Sequence, residues 1–448
     1  LKLLGGSRIT LKTTCGLDDD DAISLMGRAL FTRFLGDRHL LGSLGVDSRA
    51  VAELFDDAAR AAKTSDWLDS TFNGDFLPTS NGIWERLPQG AFKVLGDIMR
   101  RAPGGQLRLG WEERWDNLDF AHIPVGVLSQ AYEHYLHKHA PDRQRREGGF
   151  YTPRPIADLM VRGGLNAVAR TTSAHTARIL DPAAGAGVFL ITAFRQLVAE
   201  NWQASGRRPD TLELRRILYE QITGFDINEA ALRFAALGLY LMSIELDAHP
   251  EPVRKLKFEN LRGRVLLKMS GEEQDRSLGS LGSTVGDEHI GRYDLVVGNP
   301  PWATSTGLPG WNEAQAIIHR IAAERLSPDY PPPPIPNEAL DLPFVWRAME
   351  WAKPLGQIAF ALHARLLFQQ SHGMPAARRA LFAALDVTGV INGVELRQTR
   401  VWPEIWAPFC ILYARNQVPP QGAGCRFVSP RVERALNQAG VMRIDATN

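Results

Sequence analysis

The apolar positions along the chain follow two different periods. In the first part they recur every three or four residues, across Leu25–Leu35, from Val51 to Ala62 and from Val125 to Leu136. That spacing predicts amphipathic helices. The acidic run Asp18–Asp21 precedes the first of them and could cap it, although a solvated face is the favoured expectation. Lys138–Arg146 is polar and basic and reads as a linker with its arginines in solvent. From Gly148 onward, short apolar runs alternate with helical patterns. Strands are predicted at Arg178–Leu180, Ile222–Phe225, Arg264–Leu267, Asp294–Val297 and Gln357–Leu362, with a final pair at Val387–Ile391 and Phe409–Tyr413. Helices are predicted at Gly187–Glu200, Glu229–Leu246 and Pro343–Ala352.

This succession predicts an α/β fold, an open, mostly parallel sheet with helices on both faces, preceded by a helical N-terminal domain. The expected division is 1–145 for the helical domain and linker, 146–417 for the α/β domain, and 418–448 for the start of a C-terminal segment. Two stretches interrupt the alternation. Gly271–Gly291 is rich in glycine and serine and reads as a long loop, and Ser327–Pro336, with four consecutive prolines, as a stiff extended segment. The chain begins at Leu1 and its last residues look like a pattern cut short, so a fragment of a longer protein is expected.

Composition narrows the reading only a little. Of 448 residues, 44% are hydrophobic and 23% charged, as in soluble globular proteins. The formal net charge is +1, so a nucleic-acid surface would have to be local. Cys15, Cys410 and Cys425 lack metal-ligand spacing and suit a reducing, cytoplasmic setting without disulfides; no metal is expected. No apolar run reaches membrane-spanning length, so no membrane partner is expected.

The chemistry concentrates where predicted strands end. Tyr293–Trp302 runs from an apolar strand into Asn299-Pro300-Pro301-Trp302. Asn299 offers a carbonyl acceptor, Pro300 a backbone carbonyl with no competing N–H, and Trp302 a flat face. Two acceptors and a plate suit an exocyclic amino group on a planar ring. The bland reading is a proline-stiffened turn. Upstream, Asp181-Pro182-Ala183-Ala184-Gly185-Ala186-Gly187 ends one strand and opens a helix, where doubly wound sheets bind ligands. Leu190 stands where a dinucleotide fingerprint has its third glycine, and Asp181 would repel a pyrophosphate but attract a cation. Asp226, in Gly-Phe-Asp-Ile-Asn, is placed to accept from ribose hydroxyls. A cationic amino-acid end and a ribose are both features of S-adenosylmethionine. Gly148–Pro155 reads as a rigid loop entering a helix, with Thr152 offering a hydroxyl.

These segments, in this order over roughly Ile123–Asn416, resemble the adenine-N6 DNA methyltransferases of the gamma arrangement, found in restriction–modification and related phage-defence systems. The closest parts are Phe150-Tyr151-Thr152-Pro153, Asp181–Gly187 and Asn299–Trp302. Pro124–Leu128 with Tyr132-Glu133 resembles the helix preceding the catalytic domain in type I and fused type IIG enzymes, and Leu30–Leu35 more loosely resembles their helical N-terminal domain. The resemblance implies a Rossmann-like, class I S-adenosylmethionine-dependent fold. It also implies that Tyr151, Thr152 and Pro153 contact the methionine carboxylate. Asp181, with Pro182, Ala183, Gly185 and Gly187, would hold the amino-acid end. Asp226 and Ile227 would meet the ribose, and Phe344 the cofactor adenine. Asn299, Pro300, Pro301 and Trp302 would be catalytic, with Trp302 and Trp402 stacking on a flipped-out base. The implied partner is double-stranded DNA with a specific recognition sequence, together with a nuclease or specificity domain or subunit; 418–448 would then begin a target-recognition segment.

One departure is that no acid around Arg264–Ser270 matches the family's contact to the cofactor adenine amine. His363 and His372 are assigned structural roles. Alternative readings are methylation of protein glutamine or of RNA bases, and an inactive methyltransferase-like DNA-binding scaffold. A nicotinamide dehydrogenase is disfavoured by Leu190 and Asp181.

Overall fold

The computed structural model describes residues 2–41, 51–72, 77–100, 152–249, 258–269, 278–304, 310–371, 373–403, 405–431 and 443–445. The chain forms two compact units, Leu1–Tyr135 with Ala236–Arg262, and Leu136–Ala235 with Gly263–Asn448. The expectations for Val125–Leu136, Lys138–Arg146 and Gly148–Tyr151 fall outside the described residues.

The first unit contributes α1 (Lys2–Thr13), α2 (Asp19–Asp37), α3 (Ala58–Phe72), α4 (Ile83–Arg86) and α5 (Gln89–Arg100). In α2 the predicted apolar stripe is buried, and two arginines are buried with it. Arg28 donates to the Leu77 and Ser65 carbonyls and pairs with Asp69 at 2.7 Å, while Arg33 donates to the Ile98 carbonyl. The helix expected from Val51 to Ala62 is instead a short 3-10 turn, Val51–Glu53, followed by α3. Of the Asp18–Asp21 run, Asp18 is exposed and Asp21 is buried. Asp18 caps α2 by accepting from the Asp21 N–H, and Asp21 turns inward to accept from the N–H and hydroxyl of Ser80. Both interactions satisfy orphan donors that solvent would otherwise have to cover.

The second unit is built on strands β1 (Ile179–Asp181), β2 (Ile222–Asp226), β3 (Leu266–Lys268), β4 (Tyr293–Gly298), β5 (Ala352–His363), β6 (Asp386–Asn392), β7 (Phe409–Arg415), β8 (Arg426–Arg431) and β9 (Arg443–Asp445). Its helices are α6 (Arg154–Val168), α7 (Val188–Ser205), α8 (Thr211–Gln221), the start of α9 (Glu229–Leu246), α10 (Trp311–Arg325), α11 (Asp341–Trp351), α12 (Arg365–Phe368) and α13 (Met374–Ala384). The sheet order is β3-β2-β1-β4-β5-β7-β6-β8-β9. Strands β1 to β5 run parallel to one another, and β7 runs antiparallel between β5 and β6. Helices cover both faces because neighbouring residues of a strand point oppositely. Leu295 faces Gly164 of α6, while Val296 joins a core that includes Val345 and Trp346 of α11. A boundary at 417 would cut this sheet, since β8 pairs in parallel with β6.

Successive strands step outward one way from β1 to β3 and the other way from β4 to β5, so the order reverses between β1 and β4. Such a switch point opens a crevice at the carboxyl ends of the strands. The opposite edge is clamped shut. Asp294 accepts from Lys353 Nζ with both oxygens at 2.8 Å and from the Arg178 N–H, tying the starts of β4, β5 and β1 together. No described helix is long and apolar enough to cross a membrane.

Candidate active site

Asp181 ends β1, Asp226 ends β2 and Gly298 ends β4, all at the carboxyl edge beside the switch point. Register fixes their proximity: Leu180 pairs with Val296 on one side and Asp181 with Gly224 on the other. Asp181 is fully buried, and a Cβ at Gly298 would lie 2.6 Å from its Oδ1. Only glycine therefore lets the β1 carboxylate sit against the strand tip that carries Asn299.

The Pro182–Gly187 loop is held from both acids. Asp181 Oδ1 accepts from the Ala183 N–H at 3.1 Å. Asp226 Oδ2 accepts from the Gly185 N–H at 2.7 Å, and its Oδ1 from the Asn228 N–H at 2.7 Å. Gly187 stands at φ +85°, and a Cβ there would meet Ala235 Cβ at 2.8 Å, so both backbone conformation and helix packing demand glycine. Asp226 and Ile227 stay partly exposed, whereas Asp181 has no exposed surface and braces the loop from beneath.

Asn299 follows β4, and its Nδ2 donates to Thr152 Oγ1 at 3.0 Å. Thr152 is buried just before α6, whose first turn carries Pro155. Residues 147 positions apart in sequence are thus joined in one site. Because the amide nitrogen is spent on Thr152, the carboxamide has a defined acceptor end, Oδ1. Tyr151 lies outside the described residues.

Trp302 is buried, with its indole N–H donating to the Ala361 carbonyl at 3.2 Å. Its ring lies 5.9 Å from that of Trp402 and 6.0 Å from His363, and Trp402 in turn packs edge-on against Phe409 at 4.7 Å. The expected stacking faces of Trp302 and Trp402 are therefore covered by one another and by neighbouring side chains. Behind this cluster Arg365 pairs with Asp341 at 2.8 Å and donates to the Trp302 carbonyl, while Asp341 also accepts from the His363 N–H. His363 Nδ1 accepts from the Arg365 N–H, and burial first, then Arg365, lowers its pKa. His363 is thus held within this network, while His372 lies outside the described residues. Phe344 is buried in the core with Val296 and Phe360.

A turn not anticipated from the sequence also belongs to the site. Within the glycine-rich stretch, Gly279–Leu281 forms a 3-10 turn. Ser280 Oγ donates to the Pro182 carbonyl at 2.7 Å, and a Cβ at Gly279 would meet Ile227 Cγ2 at 2.7 Å. Arg347 holds the far end through the Gly282 carbonyl. The turn touches both the glycine loop and the tip of β2. The only sequence signal was a serine inside a low-complexity loop.

The description N-6 DNA Methylase matches residues 125–412. The chain belongs to the N-6 DNA methylase family. The methylase subunit of the type I restriction enzyme MjaVII from Methanocaldococcus jannaschii is 21% identical over 343 residues, covering 74% of this chain and 48% of that protein. The adenine-specific methyltransferase PglX of Streptomyces coelicolor is 24% identical over 223 residues, 45% of this chain and 17% of PglX. Among solved structures, the type IIG restriction endonuclease BpuSI superposes with a TM-score of 0.56 at 14% identity over 97% of this chain and 41% of that one. The last likeness is one of fold alone. The chain spans half or less of the length of the curated relatives it matches. Within the family match lie both joined segments, Thr152 and Asn299, and both loop-bracing acids.

Proposed function

We propose that this chain is the methyl-transferring part of an adenine-N6 DNA methyltransferase of a restriction–modification or phage-defence system. The observation that carries the proposal is Asn299 at the tip of β4, its amide nitrogen fixed by Thr152, beside the carboxylate that Gly298 admits. Family membership supports the chemistry, and residues at the strand tips fit the cofactor. Two carboxylates flanking a glycine turn suit S-adenosylmethionine, which has a cationic amino-acid end and a ribose, and they oppose a pyrophosphate. Asp226, braced by two backbone N–H groups and still partly exposed, would meet the ribose. Asp181 would set the loop's shape and the local negative field from below.

When bound, S-adenosylmethionine supplies an electrophilic methyl group. The amine of adenine is a poor nucleophile, because its lone pair is delocalised into the ring. Asn299 Oδ1 and the Pro300 carbonyl would accept its two N–H bonds and draw the nitrogen toward tetrahedral geometry. Those hydrogen bonds strengthen as positive charge develops on nitrogen, so they favour the transition state over the ground state. Positioning amine and methyl in line supplies much of the remainder. The amine is unreachable inside a duplex, so the base must leave the stack. Pro301 and the buried Trp302 would then form the wall behind the base rather than an open plate.

The test is transfer of tritium-labelled methyl from S-adenosylmethionine to adenine-unmethylated plasmid DNA, to RNA, and to a glutamine-bearing protein. Label recovered as N6-methyladenine in DNA supports the reading. Label in RNA or protein alone, or uptake of cofactor without transfer to any of them, sinks it.

A further inference from the structure

The connection between β6 and β7 reaches the same edge as the candidate site. His363, which ends β5, pairs with Phe409, which starts β7, and Asn392 of β6 pairs with Cys410. Trp402 in this connection packs on Trp302. Gln398 N–H donates to the Trp402 carbonyl, and Arg397 bridges to Trp402, so this tryptophan anchors the connection to the Asn299–Trp302 segment. Four residues beyond it the pattern inverts: Trp406 is 78% exposed. Arg397 and Arg400 are exposed in the same connection, and neither takes part in an ion pair among the described residues. A second exposed aromatic, Phe368, 49% exposed, follows β5, and the two segments are joined by the Ala364 N–H on the Pro408 carbonyl.

A single exposed indole is ordinary on a protein surface. This one shares its connection with two exposed arginines, on an element pinned to the site where a base would have to leave its helix. Extruding a base leaves unstacked neighbours, and an aromatic side chain stacks on any base. We infer that Trp406 is a duplex-contacting residue that stacks on a base left unstacked beside the extruded one, with Arg397 and Arg400 on the adjoining phosphates. The occupant is double-stranded DNA, and the inference rests on the methyltransferase reading above.

The full chain and its Trp406→Ala and Trp406→Phe variants are compared in three measurements: methyl transfer to unmethylated plasmid DNA, anisotropy with a fluorescein-labelled mixed-sequence duplex, and calorimetric titration with S-adenosylmethionine. Trp406→Ala is expected to weaken duplex binding and raise the DNA KM about tenfold, as loss of one base–aromatic stack does. Cofactor affinity should stay within about twofold, and Trp406→Phe should recover most of the loss. The Arg397→Ala, Arg400→Ala double variant should reduce the dependence of duplex binding on salt. Equal DNA binding and KM in wild type and Trp406→Ala overturn the inference. So does a lowered melting temperature shared by both Trp406 variants without a change in DNA affinity, which would mean the indole packs on another part of the protein. A wild-type chain that binds cofactor but transfers nothing to DNA would instead sink the underlying reading.

Discussion

Asn299 illustrates how one hydrogen bond converts a residue type into a role. A carboxamide has a donor end and an acceptor end, and free rotation would average them. The Thr152 hydroxyl takes the donor end, so the acceptor end is set in advance. Preorganisation of this kind acts on the chemical step more than on binding. Thr152→Val should therefore lower kcat by about fivefold to tenfold, with Thr152→Ser restoring it, because about 1 kcal/mol of orientation is lost. A fall in cofactor affinity with unchanged kcat would assign Thr152 to binding instead. The placement of Asn299, Asp181 and Asp226 at the ends of strands was legible in the sequence, because each follows a short apolar run. The covering of Trp302 and Trp402 was not. An indole reads as a plate in one dimension, and only packing reveals that its faces are occupied and its N–H is held by the Ala361 carbonyl.

At the scale of elements, the Gly279–Leu281 turn stands where the sequence offered no acid after β3. It joins the Pro182 carbonyl to the tip of β2, so it positions the loop that would hold the amino-acid end of the cofactor. Ser280→Ala should weaken S-adenosylmethionine binding by about fivefold, through one lost hydrogen bond to a buried carbonyl, while kcat at saturating cofactor holds. Calorimetry that finds unchanged affinity would reduce the turn to packing. The strands were readable because buried parallel strands are short unbroken apolar runs, as in Asp294–Val297. The helices that escaped notice bury small or sparse faces. In α13 the buried face is Met374, Ala377, Ala380, Leu381 and Ala384, mostly alanine. In α8 the apolar Leu212 is 81% exposed and blurs the period. β8 escaped because its pattern is half-exposed and carries Pro430.

For the molecule as a whole, burial makes its response to acid predictable. His289, against the Tyr293 hydroxyl at 2.6 Å, and His363 both have pKa values lowered chiefly by burial. Each is neutral when folded, so its stability contribution is complete above the unfolded value near pH 6.5. Below that pH the unfolded chain takes up protons the folded one refuses, costing up to about 1.4 kcal/mol per pH unit per histidine until the folded value is reached. Urea unfolding should thus show stability falling from pH 7 to pH 5.5, and less steeply in a His289→Asn variant; identical slopes would contradict the assignment. The same burial raises the Tyr293 phenol to about 12, leaving it protonated throughout. The central claim remains that Asn299 acts on the reacting amine and not on the fold. It is tested most directly by the rate of labelled methyl transfer to adenine N6 in DNA by Asn299→Ala, measured beside its calorimetric affinity for S-adenosylmethionine. Turnover should fall on the order of 100-fold or more while cofactor affinity stays within about threefold. A variant that binds cofactor normally and still methylates at close to the wild-type rate would contradict it.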